Sequence, residues 1–441
     1  MDGKMAKKRR PKSIVKSKPK MTARPQAVFP DYYPKFRCIG SECEDSCCIA
    51  GWKIPIDRVT WLRYQACQHE TLAPLLRSHV ILGKENSPQS EQTYAYIKMQ
   101  ADLRCPFLQP DMLCMIQKEL GSEALSDTCA TYPRFHNLFG AQHEYSLGIS
   151  CPEAARQVLL HPEPIGLIMA APDADLGARD FINFRVPQIG ISDPDQISIM
   201  NDLRSLMLYI LQFRELTLGA RMMLLGNLLD EVDRVISDPG FKNIAEIFPV
   251  LSSFTTLFAE PSFIETQFEQ IPIDLPRKLL AITAFLAEFL HHADPRFAEC
   301  LNAGVNGLVG NEASRLGVGA DLLARYHNAY DSYYLPYFRD KGYILENYLV
   351  NDVFSQLFPF IHGSFLDLYR KMVFNLSIIQ VFMVGMAGHY QGLTDMRVVQ
   401  LIQSFARRTA HDSSYLGKLT EAVASKEAPS FAEVMWMLKE R

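Results

Sequence analysis

Apolar side chains recur every three or four residues across ISIMNDLRSLMLYILQFRELTLGARMMLLGNLLDEVDRVI, residues 197–236. That spacing places them on one face of an α-helix and excludes an alternating strand pattern. Asp193 followed by Pro194 supplies an N-cap and a first-turn proline, and Gly219 or a neighbour divides the run into two helices. The same period returns at residues 275–292, 368–387 and 396–408, and SFAE (residues 430–433) has capping-box spacing before a last helix. Met222, Met223 and the Phe- and Leu-rich stripes read as core. His291 and His292 end a predicted helix, where positive charge suits the dipole.

The first third has a different texture. Nine of the ten cysteines lie between Cys38 and Cys151, and four of them fall in CIGSECEDSCC, residues 38–48. Short runs in loose alternation, QTYAYIKM (residues 92–99) and EYSLGIS (residues 144–150), predict strands. The expected fold class is mainly α: a cysteine-rich N-terminal module with short β elements on a larger all-α helical body. Residues 1–27 form a disordered basic tail, 28–160 the cysteine-rich module and 161–441 the helical domain. Residues 1–24 carry ten Lys or Arg against the single Asp2, while the whole chain is −4. Few large apolar residues interrupt that tail, which reads as a solubilising extension or a dock for an acidic partner. Without aromatic interleaving or a nucleic-acid fold, nucleic-acid binding is not expected.

A basic start that runs on into Lys and Pro is no secretory signal, and no apolar run approaches the about 18 residues of a spanning helix. No membrane insertion and a cytoplasmic location are the expectation. In a reducing compartment, clustered thiols serve metals more often than disulfides.

The candidate metal ligands are Cys38, Cys43, Cys47, Cys48, Cys105, Cys114, Cys129 and Cys151. Thiolates close in sequence converge without the entropy of gathering distant segments, and a disulfide between the adjacent Cys47 and Cys48 would close a strained ring. Cys105-Pro106 and Cys151-Pro152 repeat the Cys-Pro step that ends bacterial ferredoxin runs, where proline holds a loop out of helix. Cys38-x4-Cys43 and Cys43-x3-Cys47 also suit structural zinc. Spacing alone leaves iron–sulfur, zinc, and disulfides or plain buried thiols open. Cys67 and Cys300 have no close partner and read as small buried hydrophobes.

CIGSECEDSCCIAGWKIPID, CPFLQPDMLCMIQKELGSEALSDTCATYPR and SLGISCPEAAR together resemble the flagellin lysine-N-methylase family. GYILENYLVNDVFSQLFPF (residues 342–360) extends the likeness along the chain. The cysteine phrase is also similar to small bacterial zinc- or iron-chelating proteins. The resemblance implies methyl transfer from S-adenosylmethionine to lysines of flagellin before export, with a 4Fe-4S cluster on some of the eight cysteines (alternatively zinc). The rival readings are a non-enzymatic zinc- or iron-binding protein and an iron–sulfur redox protein.

Lysine methylation requires a neutral amine and a site for a sulfonium. The glycine-rich loop of Rossmann-type methyltransferases is absent: GVNGLVG (residues 304–310) and GVG (residues 317–319) follow no strand and read as loops or helix caps. The radical pattern C-x3-C-x2-C is not met either. Arg134, after Cys129, Tyr132 and Pro133, is a candidate to bind the donor's carboxylate, with a structural hydrogen bond as the alternative. Tyr348 is the second candidate for the cofactor, on a polar-aromatic stretch with Glu346, Asn347 and Asn351 that helix packing explains equally well. No catalytic residue is assigned.

Overall fold

The computed structural model describes residues 26–83, 90–91, 93–139, 142–170, 193–236, 243–289, 294–310, 320–358, 364–409 and 434–441. The basic tail up to residue 25, His291, His292, GVG 317–319 and SFAE 430–433 lie outside them.

Among the described residues, seven short strands occupy the first part: β1 (Gln26–Pro30), β2 (Pro55–Ile56), β3 (Val80–Leu82), β4 (Ala95–Ile97), β5 (Arg134–Phe139), β6 (Gln142–Leu147) and β7 (Leu167–Ala170). They build two sheets, ordered β5-β6-β1-β7 and β2-β4-β3. The two predicted strand regions correspond to β4 and β6. β1 escapes sequence reading because its five residues gain strand character from distant partners, parallel β6 and antiparallel β7.

Helices α1 (Arg58–Gln65), α2 (Leu72–His79), α3 (Met115–Leu120), α4 (Asp127–Thr131) and α5 (Pro152–Leu159) are interleaved with these strands. A small core of Ile56, Tyr64, Leu72, Leu76, Phe107 and Ile116 holds the centre of the cysteine-rich region together, with Cys67 buried in it. Residues flanking that centre, among them Phe29, Tyr33, Phe36, Leu147 and Val158, join the much larger core of the helical body instead.

The body comprises α6 (Pro194–Gln212), α7 (Leu218–Val235), α8 (Ile247–Leu257), α9 (Pro261–Glu269), α10 (Leu275–Phe289), α11 (Pro295–Val309), α12 (Ala320–Ala329), α13 (Leu335–Lys341), α14 (Tyr343–Ser355), α15 (Phe365–Tyr390) and α16 (Asp395–Thr409). Asp193 caps α6 as its sequence predicts, its carboxylate accepting from the Asp195 N–H at 2.8 Å. The long apolar run breaks at Phe213, and Thr217 caps α7 just before Gly219. Cys300 is buried in α11.

Two expectations are corrected. First, α15 contains an 18-residue window of mean hydropathy 1.5, so one helix among the described residues is long and apolar enough to cross a membrane. Of that window 89% is buried within the protein: α15 is the axial core helix, packed on α11, α7, α12 and α16. Helix length and apolarity here serve internal packing on all sides.

Second, GVNGLVG is no loop. Gly304 and Gly307 lie inside α11, and only Gly310, at φ +70°, caps its end. A Cβ on Gly307 would stand 1.8 Å from the Gly385 carbonyl oxygen, and one on Gly385 2.2 Å from that of Gly304. The glycines let the backbones of α11 and α15 touch.

Candidate metal centre

Each cysteine is placed by a local device. Gly40, at φ +58°, opens the 3₁₀ turn Gly40–Glu42 and Cys43 ends it. Ser46 accepts the Cys48 N–H at 3.2 Å, capping a second such turn, Cys47–Ile49. The Cys105 N–H donates to the Cys48 carbonyl at 2.8 Å, joining the first cysteine loop to the second. Cys114 is the N-cap of α3, Cys129 lies in α4, and Cys151 is the N-cap of α5. Pro152 is therefore the first residue of a helix, not a device that keeps the loop out of one: its fixed φ suits the N1 position.

All eight candidate thiols are free. They form two neighbouring groups. The neighbouring thiols of Cys105 and Cys47 and the hydroxyl of Ser46 hold the Cys48 thiol well below the ordinary range. The proximity of Cys48, with burial, pushes Cys47 and Cys105 up correspondingly. Cys129 stands in the field of Cys48 and Cys114. The second group is Cys38, Cys43 and Cys151; burial pushes the Cys151 thiol up to about 12, opposed by the N–H groups of Ala154 and Glu153. Cys47 lies between the groups, close enough to feel both Cys129 and Cys38.

The donor chemistry thus fits a thiophilic metal: unpaired thiols, one of them shifted towards the thiolate by its neighbours. Convergence is a separate matter. Among the described residues, no three Cys, His, Asp or Glu side chains meet in a geometry that could hold one ion.

The cysteine loop is held from the body. Arg407, on α16, pairs with Asp45 at 2.9 Å and donates to the carbonyls of Asp45 and Ser46 at 3.1 and 3.4 Å. Its guanidinium also lies 5.4 Å from the centre of the Trp52 ring. Gln403, one turn earlier, donates to the Asp45 carboxylate and to the Ser150 carbonyl, both at 2.9 Å. Arg156 binds Glu44 at 2.6 Å. Sequence reading missed Arg407 and Gln403. Their one available signal was polar residues on a helix otherwise apolar on that face.

Arg134 begins β5, its guanidinium 4.8 Å from the Phe36 ring centre and donating to the Phe36 carbonyl at 3.4 Å. Burial lowers its pKa, opposed by Tyr33. Its buried Nε has no hydrogen-bond partner among the described residues. Tyr348 is buried in α14, away from Arg134's sheet edge in sequence and lining neither cavity described below. Its neighbours fasten the two parts of the protein. Asn347 donates to the carbonyls of Val158 and His161 at 3.1 and 2.7 Å. Asn351 donates to the Leu147 carbonyl and accepts from Tyr32. Glu346 pairs with Arg214 and Arg221 at 2.9 and 2.7 Å.

A family model described as the FliB lysine N-methylase C-terminal domain matches residues 204–437, just over half the chain. The chain belongs to the FliB lysine N-methylase family. The family match lies wholly in the helical body and includes Gln403 and Arg407. Lysine-N-methylase from Salmonella typhimurium is 37% identical over 139 residues, which are 31% of this chain and 33% of that protein. The flagellar biosynthetic protein FliU of Salmonella muenchen is 37% identical over 139 residues, covering 79% of its length. The chain aligns with only about a third of the curated lysine-N-methylases it matches. No solved structure matches.

Proposed function

We propose that this protein is a protein-lysine N-methyltransferase that takes its methyl group from S-adenosylmethionine and delivers it to flagellin in the cytoplasm. The observation that carries the reading is the match of residues 204–437 to the lysine N-methylase family domain. The names of its relatives, lysine-N-methylase and a flagellar biosynthetic protein, point the same way. We also propose that the eight cysteines hold a metal centre, a 4Fe-4S cluster in preference to zinc. Eight free thiols gathered in two adjoining groups support it. When bound, such a centre would cross-link the cysteine loops through thiolate bonds.

The chain's own residues then have definite tasks. Arg407 and Gln403 hold the Asp45–Ser46 segment, and with it Cys43, Cys47 and Cys48, against the family domain. Arg134 is placed beside Cys38, where its unused Nε could donate to an anionic group.

The test has two measurements. Purified protein, S-adenosylmethionine and unmodified flagellin are incubated and the flagellin is weighed by intact-mass spectrometry. Successive one-methyl increments on lysine are expected, and unchanged mass refutes the activity. Iron, zinc and acid-labile sulfide are measured on protein purified without oxygen. Iron with matching sulfide supports a cluster, zinc without sulfide replaces it, and neither metal removes the centre.

A further inference from the structure

The body contains a cavity of about 560 Å³ between α7, α9, α13 and the segment Leu438–Arg441. That is within the roughly 300–1,000 Å³ usual for small-molecule sites. One wall is aromatic: Tyr330, Tyr334 and Phe338 follow one another at four-residue intervals, with ring centres 5.1 and 4.5 Å apart. Tyr330–Tyr334 forms a π-helical turn between α12 and α13. Its wider winding keeps residues four apart on one side of the helix, and such turns concentrate at functional sites.

The charges on the lining are unevenly used. Its cations are largely committed: Arg221 to Glu346, Arg441 to Asp331, and Lys439 to the carbonyls of Phe268 and Glu269. Its carboxylates are hydrogen-bonded to neutral groups: Glu265 accepts from the N–H and the hydroxyl of Thr217, and the buried Glu440 accepts from Tyr330 at 2.7 Å and from Gln380. None of these carboxylates makes a direct ion pair among the described residues, although Glu440 stands in the field of the buried Lys278, and Glu265 and Glu269 in that of Lys439. Exposed Arg339 at the rim is the remaining guanidinium. Three carboxylates and a face of aromatic rings suit an onium ion, and a rim guanidinium suits a carboxylate. Another cavity among the described residues, of about 250 Å³, has no charged residue in its lining and offers none of this.

We infer that this cavity is the binding site for the methyl donor, a sulfonium amino-acid zwitterion carrying an aromatic base. The inference rests on the methyltransferase reading. It replaces Tyr348 with Tyr330, Tyr334 and Phe338 as the aromatic surface offered to the donor, and places Glu265, Glu269 and Glu440 around its positive charges.

The test is calorimetric titration of the full chain with S-adenosylmethionine and with the neutral-sulfur product S-adenosylhomocysteine. Leu335→Trp narrows the mouth from a position already 38% exposed, and Glu269→Gln removes one exposed carboxylate. Val59→Trp, on the exposed face of α1, is the control. Leu335→Trp is expected to weaken S-adenosylmethionine ~10-fold or more by filling the mouth and obstructing access to the aromatic wall. Glu269→Gln should weaken it ~2–5-fold, and weaken S-adenosylhomocysteine less, because only the donor carries the sulfonium charge.

Wild-type affinity in both variants overturns the inference and leaves the methyltransferase reading standing. Unchanged donor affinity with lost flagellin binding also overturns it, assigning the cavity to the substrate lysine. Wild-type protein that neither binds the donor nor methylates flagellin overturns the underlying reading itself. Should Leu335→Trp misfold by circular dichroism, the difference between the two ligands in Glu269→Gln decides the matter alone.

Discussion

Replacing Arg407 by Met keeps an unbranched apolar side chain at this position and removes the cation that holds the cysteine loop and faces Trp52. Arg407 and Asp45 are 5% and 7% exposed at the side chain, so the carboxylate left behind has little water to turn to. Deleting one partner of a buried pair costs about 3–5 kcal/mol, most of it the stranded charge. Gln403 still donates to Asp45 at 2.9 Å, which places the expected loss near the lower end, about 3 kcal/mol. The loss depends on pH. Burial raises the Asp45 pKa above its ordinary 3.8 and Arg407 opposes that rise, so the variant raises it further. A carboxyl whose folded pKa lies above its unfolded value contributes stability fully below the unfolded value and loses it as pH rises through the folded one. The deficit should therefore be small near pH 4 and full at pH 7. Urea unfolding at both pH values measures it, and reaction of the thiols with a chromogenic disulfide reports whether the loop has loosened. A loss under about 1 kcal/mol at pH 7, with unchanged thiol kinetics, would refute the clamp.

Gly307→Ala drives a Cβ to 1.8 Å from the Gly385 carbonyl oxygen and should cost at least ~1–3 kcal/mol by overpacking, read as a fall in Tm; an unchanged Tm would mean that α11 and α15 do not touch there. Glu346→Gln strands the buried Arg221 and weakens two ion pairs at once, for about 3 kcal/mol or more in urea unfolding, whereas a neutral effect would show that the arginines find other acceptors. Burial, and then the charge of His143, lowers the His136 pKa from 6.5 to about 4. The unfolded chain takes up that proton first, so this contribution is complete above pH 6.5 and is lost as pH falls towards 4, at most about 3 kcal/mol. His136→Phe should flatten the stability profile across that window, and an unaltered slope would place the titration elsewhere.

The helical body was legible because its signal is local. Apolar residues at helical spacing across 197–236 mark α6 and α7, and Asp193 announces the start by its own side chain. What is not local was lost. β1 is five residues long, ends in proline, and becomes a strand through β6, whose paired residues lie more than a hundred positions away. The glycines of GVNGLVG imitate a loop because a sequence does not show that a second helix, with Gly385 facing them, needs their missing side chains. For the metal centre the residue types and their clustering were readable, whereas the partition of eight thiols into two groups depends on three chain segments folding together.

That same dependence changes how the polar residues of the body are understood. Glu346, Asn347 and Asn351 have the composition of a site, yet their hydrogen bonds go to Arg214, Arg221 and the carbonyls of Leu147, Val158 and His161, and the buried Asn347 Oδ1 is left without a partner among the described residues. Arg407 and Gln403 are spent likewise on Asp45, Ser46 and Ser150. A buried group already satisfied by protein is expensive to redirect towards a ligand, because the abandoned partner loses its hydrogen bond as well. Polar chemistry available to a small molecule should instead be sought where carboxylates and ring faces border open volume without a direct ion pair. In the family domain, that description fits the cavity under Tyr330, Tyr334 and Phe338. The fasteners and the cavity share α7 and α14: Arg221 binds Glu346 on one side and lines the cavity on the other. Asn347 and Asn351 seat the cysteine-bearing region on α14, and the same helix reaches the cavity wall through Leu345 and through the Glu346–Arg221 pair.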